Sequence, residues 1–211
     1  MNLNKIKKNI LIEAKPYIIK YGWNEEMFRK VAKHSKHEFS LVLSVFPNGY
    51  INLIQLYLDN INTKMTDESK KMDLIRLKVH ERIRELSILR FKIMEKEKEL
   101  SRKTFIHLLL PTKYNFSIKN IYKSVDQIWY LAGDNSTDFN FYSKRVILAS
   151  IYSVTLMHFI NNNNFDETKR ILNEQLKNVS KIPKIKERFN AFIKLSPQFF
   201  KLRKNFKFTK Q

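Results

Sequence analysis

Cysteine is absent from this chain of 211 residues, and glycine and proline are scarce, with three and five copies. Without cysteine the chain has no disulfide, thiolate zinc site, iron–sulfur cluster or cysteine nucleophile. The glycines, at positions 22, 49 and 133, stand too far apart for a dinucleotide-binding or phosphate-binding loop. Few helix breakers among many helix formers predict an all-α protein of one domain, with or without an appendage.

Histidine is also too sparsely placed for the metal chemistry of a helical bundle. A di-iron bundle needs two Glu-x-x-His pairs, which put a carboxylate and an imidazole on one helix face. None of the five histidines has a glutamate three residues before it. No nucleophile-elbow motif is present either. We therefore expect no catalytic residue and no metal site.

Basic residues outnumber acidic residues by 40 to 20, for a net charge of +20. Such an excess favours an anionic partner, either a nucleic acid or a membrane surface. A bias towards lysine, asparagine and isoleucine, as an A·T-rich genome produces, would raise the charge without any function. The local distribution of the charge is therefore more informative than its total.

The first residues contain no apolar core and no small-residue cleavage site of a secretory signal. They also lack a Ser/Arg-rich leader, which favours a bacterial over a mitochondrial protein. The longest uncharged run, Val146 to Phe165, is too short and too polar for a bilayer span. We expect it to be a central buried helix.

Hydrophobic periodicity predicts helices along the whole chain. The predicted spans are 3–21, a helix from 24, 38–46, 50–64, 67–86 with a further helix to about 100, 101–110, 117–132, 137–161 and 165–179. Pro47, Asn48 and Gly49 form a predicted turn. The segment 183–209 stands apart from this series.

The most informative stretch is the corner from Trp129 to Arg145. Gly133 suits the left-handed position just past a helix end. Asp134, Ser136 and Thr137 are candidate N-caps of the next helix, and Asp138 would favour its positive end. A well-capped corner accounts for these residues, but not for the aromatic and basic residues on either side of it.

The same corner contains Trp129, Ala132-Gly-Asp134, Ser136-Thr-Asp138, Tyr142 and Arg145 at fixed spacing. With these residues it resembles the coenzyme Q nine family. The resemblance is strong over 117–179, where Phe165 to Leu172 resembles a family helix start, and weaker over about 22–110. It implies a non-catalytic protein of ubiquinone biosynthesis. Such a protein binds an isoprenoid or phospholipid, needs no other cofactor, and presents the membrane-bound precursor to demethoxyubiquinone hydroxylase.

The first helices resemble the DNA-binding head of TetR-type repressors. Gly22-Trp23, Phe28, Val31-Ala32 and Phe46 to Gly49 carry this resemblance. However, the expected glycine between the second and third helices is missing, and the third helix has no Arg, Lys, Asn or Gln to read bases. Lys33, Lys36 and His37 would reach phosphates only. We expect a TetR-like scaffold with a degenerate helix-turn-helix and no nucleic-acid partner; a ligand-responsive repressor is the alternative.

Two internal sites are predicted. The apolar helix 146–160 beside the run Leu108 to Leu110 predicts a lipid cavity lined by Leu108, Leu109, Ile147, Ile151 and Val154. The resemblance implies a docking surface for the hydroxylase near Asp126, Trp129 and Tyr130. A core position for Trp129 is the alternative. A lone His158 on the apolar helix is expected to be a hydrogen-bonded core residue.

The end of the chain interleaves basic and aromatic residues, with no acid after Glu187. This pattern is typical of a helix that lies in a membrane interface, and the resemblance implies the same role. Packing on the body or on a second subunit, and nucleic-acid binding, are the alternatives. The predicted membrane contacts are Phe192, Ile193, Phe199, Phe200, Lys201, Leu202, Arg203, Lys204 and Phe206.

The predicted organisation has three parts. Residues 1–49 form the head, 50–182 the lipid-binding and dimerising body in one domain with the head, and 183–211 the tail. We expect a homodimer at an anionic membrane. Its place would be the cytoplasmic face of the bacterial inner membrane, or the matrix side if the protein is mitochondrial.

Overall fold

The computed structural model describes residues 3–136 and 139–180. These residues form nine α-helices and one 3₁₀ turn, joined by loops, and contain no strand. The helices are α1 (Leu3–Tyr21), α2 (Glu25–His34), α3 (Phe39–Val45), α4 (Tyr50–Ser69), α5 (Val79–Glu95), α6 (Lys98–Leu108), α7 (Tyr114–Leu131), α8 (Phe139–Asn161) and α9 (Phe165–Ser180), with the 3₁₀ turn at Pro111–Lys113. The predicted all-α class is confirmed.

Several predicted helix bounds between residues 50 and 110 are wrong. The boundary predicted near 86 falls inside α5, which continues to Glu95. α4 continues to Ser69 instead of ending at 64, and a loop divides the predicted helix 67–86 before α5 begins at Val79. The intervening loop is held by Arg82, whose guanidinium donates to the carbonyl oxygens of Leu77 and Ile75 at 2.9 and 3.1 Å. A third bond from Arg82 reaches Ala132 O at 3.2 Å, at the far end of α7. The break is therefore stabilised by a tertiary contact that local sequence does not reveal.

The head and the body share one core. α1 packs on α4 and α6, and α2 packs on α4. Trp23 lies at this junction, where its indole N–H donates to Thr104 Oγ1 at 3.0 Å, and its side chain is buried. The head is therefore continuous with the helices that follow it.

The body is built around α4, α5, α7 and α8, which pack on one another. Phe91 of α5 lies between two aromatic rings of α8, 5.3 Å from Tyr152 and 5.4 Å from Phe159 between ring centroids. All three side chains are buried. α8 supplies much of this core, as its apolar sequence predicted.

The contacts divide the chain into two units, residues 1–173 and residues 174–211. Of the second unit, the structure describes only 174–180, the end of α9. The predicted tail, 183–211, and its membrane-contact residues lie outside the described residues, as do Thr137 and Asp138.

Within the described ranges, no single helix is long and apolar enough to cross a membrane. Only when α3 and α4, which meet at an angle of 64°, are taken together are they long and apolar enough for a membrane span. Leu53, Ile54 and Leu58 of α4 are all buried inside the protein.

Candidate functional site

The corner between α7 and α8 begins with the predicted left-handed glycine. Gly133 has φ +84°. Its N–H donates to Tyr130 O at 3.0 Å, and the N–H of Asp134 donates to Trp129 O at 3.1 Å. These two bonds form a Schellman motif, which satisfies carbonyl groups at the end of α7. The two hydrogen bonds therefore fix the backbone conformation with which α7 ends.

Asp134 has a different role from the N-cap that its position suggested. Its side chain is only 3% exposed and accepts hydrogen bonds from three side chains. These are Ser136 Oγ at 2.8 Å, Lys144 Nζ at 2.9 Å and Arg145 Nη1 at 3.0 Å. Burial opposes ionisation, but these hydrogen bonds outweigh it and lower the pKa of Asp134 to about 2. Asp134 is therefore a buried carboxylate that ties the corner to α8.

Arg145 connects this carboxylate to a second one on α7. Its Nε lies 2.5 Å from Asp126 Oδ1, and its side chain is 3% exposed. Its guanidinium also lies over the ring of Phe141, 3.3 Å from the centroid. Two carboxylates, Asp126 and Asp134, thus face two cations, Arg145 and Lys144, so the charges of this cluster are balanced.

The residues predicted to bind a partner lie together at the end of α7, but they differ in exposure. Asp126 is engaged by Arg145. Trp129 is half-buried, donates to Lys144 O at 3.2 Å and has Lys144 Nζ 5.4 Å from its ring centroid. Tyr130 is 72% exposed. Trp129 is thus neither free on the surface nor in the core, and Tyr130 is the open part of this surface.

An apolar groove lies between α7 and α8, above α4 and α6. Its lining residues are Leu58, Phe105, Leu108, Leu109, Ile121, Leu156, Met157 and Ile160, together with Ser117, Asn120, Ser124 and Tyr152. The surface that these residues expose in the groove is almost wholly apolar. Its volume is about 50 Å³. Ligand pockets measure roughly 300–1,000 Å³, so the groove in this form is too narrow for an isoprenoid chain.

The groove contains only two of the five residues predicted to line a lipid cavity. Leu108 and Leu109 are in its wall. Ile147, Ile151 and Val154 are not, because the groove is lined by Tyr152, Leu156 and Ile160 on the other side of α8. Ile151 is buried in the core, whereas Val154 is 50% exposed. The lipid contacts of all five residues stay predictions, and of the five only Leu108 and Leu109 line this groove. An apolar helix does not indicate which of its sides faces a gap.

Arg90, a buried residue beside this groove, was missed by sequence reasoning. It is 1% exposed and belongs to α5. Its guanidinium donates to Tyr152 Oη at 2.9 Å, Asn62 Oδ1 at 2.5 Å and Ser124 Oγ at 2.7 Å. The sequence does contain a signal for it, because Arg90 falls at helical spacing among Ile83, Leu86, Ser87 and Met94, which are buried. A cation within such a stripe is unusual.

Comparison with known proteins points to one family. The COQ9 family model matches residues 114–183. "Ubiquinone biosynthesis protein COQ9, mitochondrial" of Bos taurus is 26% identical over 181 residues, which cover 82% of this chain and 56% of the relative. The protein of that name from Rattus norvegicus is 38% identical over 71 residues, 33% of this chain and 23% of the relative. The chain spans about half the length of the bovine relative.

Among solved structures, the chain is similar to a TetR transcriptional regulator from Nitrosomonas europaea. The TM-score is 0.69, with 84% of this chain and 99% of that chain covered. The sequences are 14% identical, so this likeness concerns the fold alone. The predicted TetR-like fold is confirmed.

Proposed function

We propose that this chain, which has a TetR-like fold, is a member of the COQ9 family and a non-catalytic lipid-binding protein of ubiquinone biosynthesis. In this proposal it presents a membrane-bound precursor to demethoxyubiquinone hydroxylase. One observation carries the proposal: α7 and α8 form two sides of the apolar groove and lie wholly within the matched segment 114–183. The segment that matches the family model therefore supplies two sides of the groove.

The physical task is extraction. A polyprenyl tail keeps the precursor in the bilayer, out of reach of a soluble enzyme. Each CH₂ group that leaves an apolar environment for water costs about 0.8 kcal/mol, so a carrier must supply an apolar surface in exchange. Because the groove holds only about 50 Å³, entry of a chain requires its rim to open. Leu109 and Met157, which are 56% and 43% exposed, are the rim residues that can move outwards.

We expect Leu109→Glu to reduce the amount of co-purified lipid by about tenfold or more, as a loss of roughly 1.4 kcal/mol would produce. A carboxylate at the rim must be desolvated when an apolar chain enters. Native mass spectrometry of the gently purified full chain measures the retained lipid. The expected result for the unsubstituted chain is a bound isoprenoid or phospholipid.

Val154→Glu is the matched control. Val154 is a similarly exposed apolar residue, but it lies on the side of α8 away from the groove. We expect it to retain lipid. Loss of lipid from this variant alone would place the site on the opposite side of α8. An unsubstituted chain that carries no lipid would contradict the lipid-binding proposal itself.

We further propose that the end of α7 docks the hydroxylase, with Tyr130 as the accessible anchor. Tyr130→Ala should weaken binding of the purified hydroxylase by about 2 kcal/mol, roughly thirtyfold, as aromatic anchors at interface centres do. Tyr130 is 72% exposed, so its removal should leave the thermal stability nearly unchanged. Trp129→Ala should lower both affinity and stability, because it also loses the bond to Lys144 O.

Tyr114→Ala provides the control for docking. Tyr114 is 65% exposed and begins the same helix, at the end away from the corner. Biolayer interferometry with the hydroxylase, alongside thermal melts, separates lost contact from lost folding. Equal affinities for all three variants would show that docking occurs elsewhere.

The remaining parts of the proposal are a homodimer and a peripheral position on an anionic membrane, reached through the basic, aromatic tail. The net charge of +20 supports an anionic membrane surface. The relatives named above are called mitochondrial proteins of ubiquinone biosynthesis, which supports a mitochondrial place. We keep the bacterial inner membrane and the mitochondrial inner membrane as the two possible sites.

A DNA-binding repressor is the second candidate, because Gly22-Trp23, Phe28 and Val31-Ala32 resemble a TetR-type DNA-binding head. The side chains of α3 count against it, since Phe39 and Leu43 are exposed and serines are its polar residues. A gel-shift assay with genomic fragments separates the candidates. A sequence-specific shift that a ligand releases would favour the repressor.

A further inference from the structure

The Arg90 side chain is among the largest that the described part of the protein buries fully. It stands at the centre of the body, where four helices each supply one member of its cluster. Arg90 itself comes from α5, and its acceptors are Asn62 of α4, Ser124 of α7 and Tyr152 of α8. All three acceptors are neutral.

Its charge has no carboxylate partner within 4.0 Å among residues 3–136 and 139–180, in contrast to Arg145, which has two. Burial of an ionised group is costly unless an opposite charge compensates for it. A guanidinium has five N–H groups, and three of them are used here. The site therefore has both an uncompensated positive charge and spare donors.

The cluster adjoins the apolar groove. Ser124 and Tyr152, two of the three acceptors, are also part of the groove wall. The Tyr152 hydroxyl donates to Met94 Sδ at 3.8 Å. Because a thioether sulfur is a weak acceptor, a ligand oxygen can readily take over this hydrogen bond. The exposed surface of the groove is almost wholly apolar, and the hydroxyl groups of Ser124 and Tyr152 lie behind it, bonded to Arg90.

We propose that this cluster of Arg90, Ser124 and Tyr152 receives the head of a single-chain amphiphile whose head carries an anionic oxygen. The chain would lie against Leu108, Leu156 and Ile160, and the oxyanion would compensate the charge of Arg90. This inference rests on the proposed lipid-binding function, to which it adds the class of head group. Carboxylic acids and phosphate monoesters both offer such a head, and the experiment distinguishes them.

The test measures binding of three dodecyl amphiphiles to the delipidated full chain by calorimetry: dodecanoate, dodecyl phosphate and dodecanol. We expect at least one of the two anions to bind about tenfold more tightly than the alcohol, as a charge-assisted hydrogen bond provides. The anion that binds more tightly identifies the head. Equal binding of all three would overturn the head-group inference and leave the lipid groove intact. No binding of any of them would contradict the proposed function instead.

Arg90→Met removes the charge and keeps the length of the side chain. We expect it to bind dodecanol as before and to lose its preference for the anion. Arg84→Met is the matched control, because it removes the same charge from an exposed position of α5. It should keep the preference for the anion. A loss confined to Arg90→Met then cannot result from the lower net charge of the chain, which is +20 without substitution. A preference that survives Arg90→Met would overturn the inference.

Tyr152→Phe provides a second variant should Arg90→Met fail to fold. It retains Arg90 and the aromatic ring that packs on Phe91, but removes the hydroxyl group. We expect weaker anion binding and unchanged alcohol binding. An unchanged anion preference in this variant would exclude Tyr152 from the head-group site and contradict the proposed cluster.

Discussion

Arg145→Ala should lower the free energy of unfolding by about 3 kcal/mol, near the lower end of the range for breaking a buried ion pair. The guanidinium is 3% exposed and bonds both Asp126 and Asp134. Its removal leaves Asp134, which is equally buried, with one cation fewer. Lys144 and Ser136 still hold that carboxylate, and Asp126 is 25% exposed and can be hydrated. These two features keep the loss from being larger.

Urea unfolding followed by circular dichroism measures this loss. Arg84→Ala is the control, since Arg84 pairs with Glu85 on the surface and is 48% exposed. We expect it to cost about 0–1 kcal/mol. Arg145→Lys should fall between the two, because an ammonium group cannot reproduce the bonds of the guanidinium fork. If Arg145→Ala proved no more destabilising than Arg84→Ala, the corner network would contribute little to stability.

Deletion of residues 184–211 should abolish binding to anionic vesicles. This prediction rests on the sequence of the tail, in which basic residues alternate with bulky aromatic ones. Each Lys or Arg near an anionic leaflet contributes about 1 kcal/mol, and aromatic burial adds to it. Vesicle flotation at low and moderate salt measures the binding. Equal flotation of the truncated and full chains would show that another surface binds the membrane.

Two sets of substitutions separate the contributions of charge and burial. Changing Lys201, Arg203, Lys204 and Lys207 to Gln should weaken binding to anionic vesicles far more than to neutral ones, and salt should weaken the charged interaction. Changing Phe199, Phe200 and Phe206 to Ser should weaken binding to both kinds of vesicle. A tail that binds DNA fragments rather than vesicles would favour the repressor instead.

The local sequence determined much of the fold. The apolar spacing predicted α1 with the bounds that the structure has, and placed α8 in the core. Gly133 was assigned its left-handed conformation from its position after a helical pattern. These features depend on a few neighbouring residues, since helical periodicity and helix capping act over about one turn. The corner residues also carried the resemblance to the COQ9 family, because they lie within one short stretch of the chain.

Only the tertiary structure decided the features that depend on distant residues. The break before α5 depends on Arg82 bonding Ala132, 50 positions away. Which side of α8 lines the groove depends on where α6 and α7 pack. Leu156 is therefore a groove residue, whereas Val154 is not. Arg90 meets partners 28, 34 and 62 positions away. Periodicity shows which side of a helix is apolar, but only packing determines whether that side meets a neighbouring helix, a gap or a buried charge.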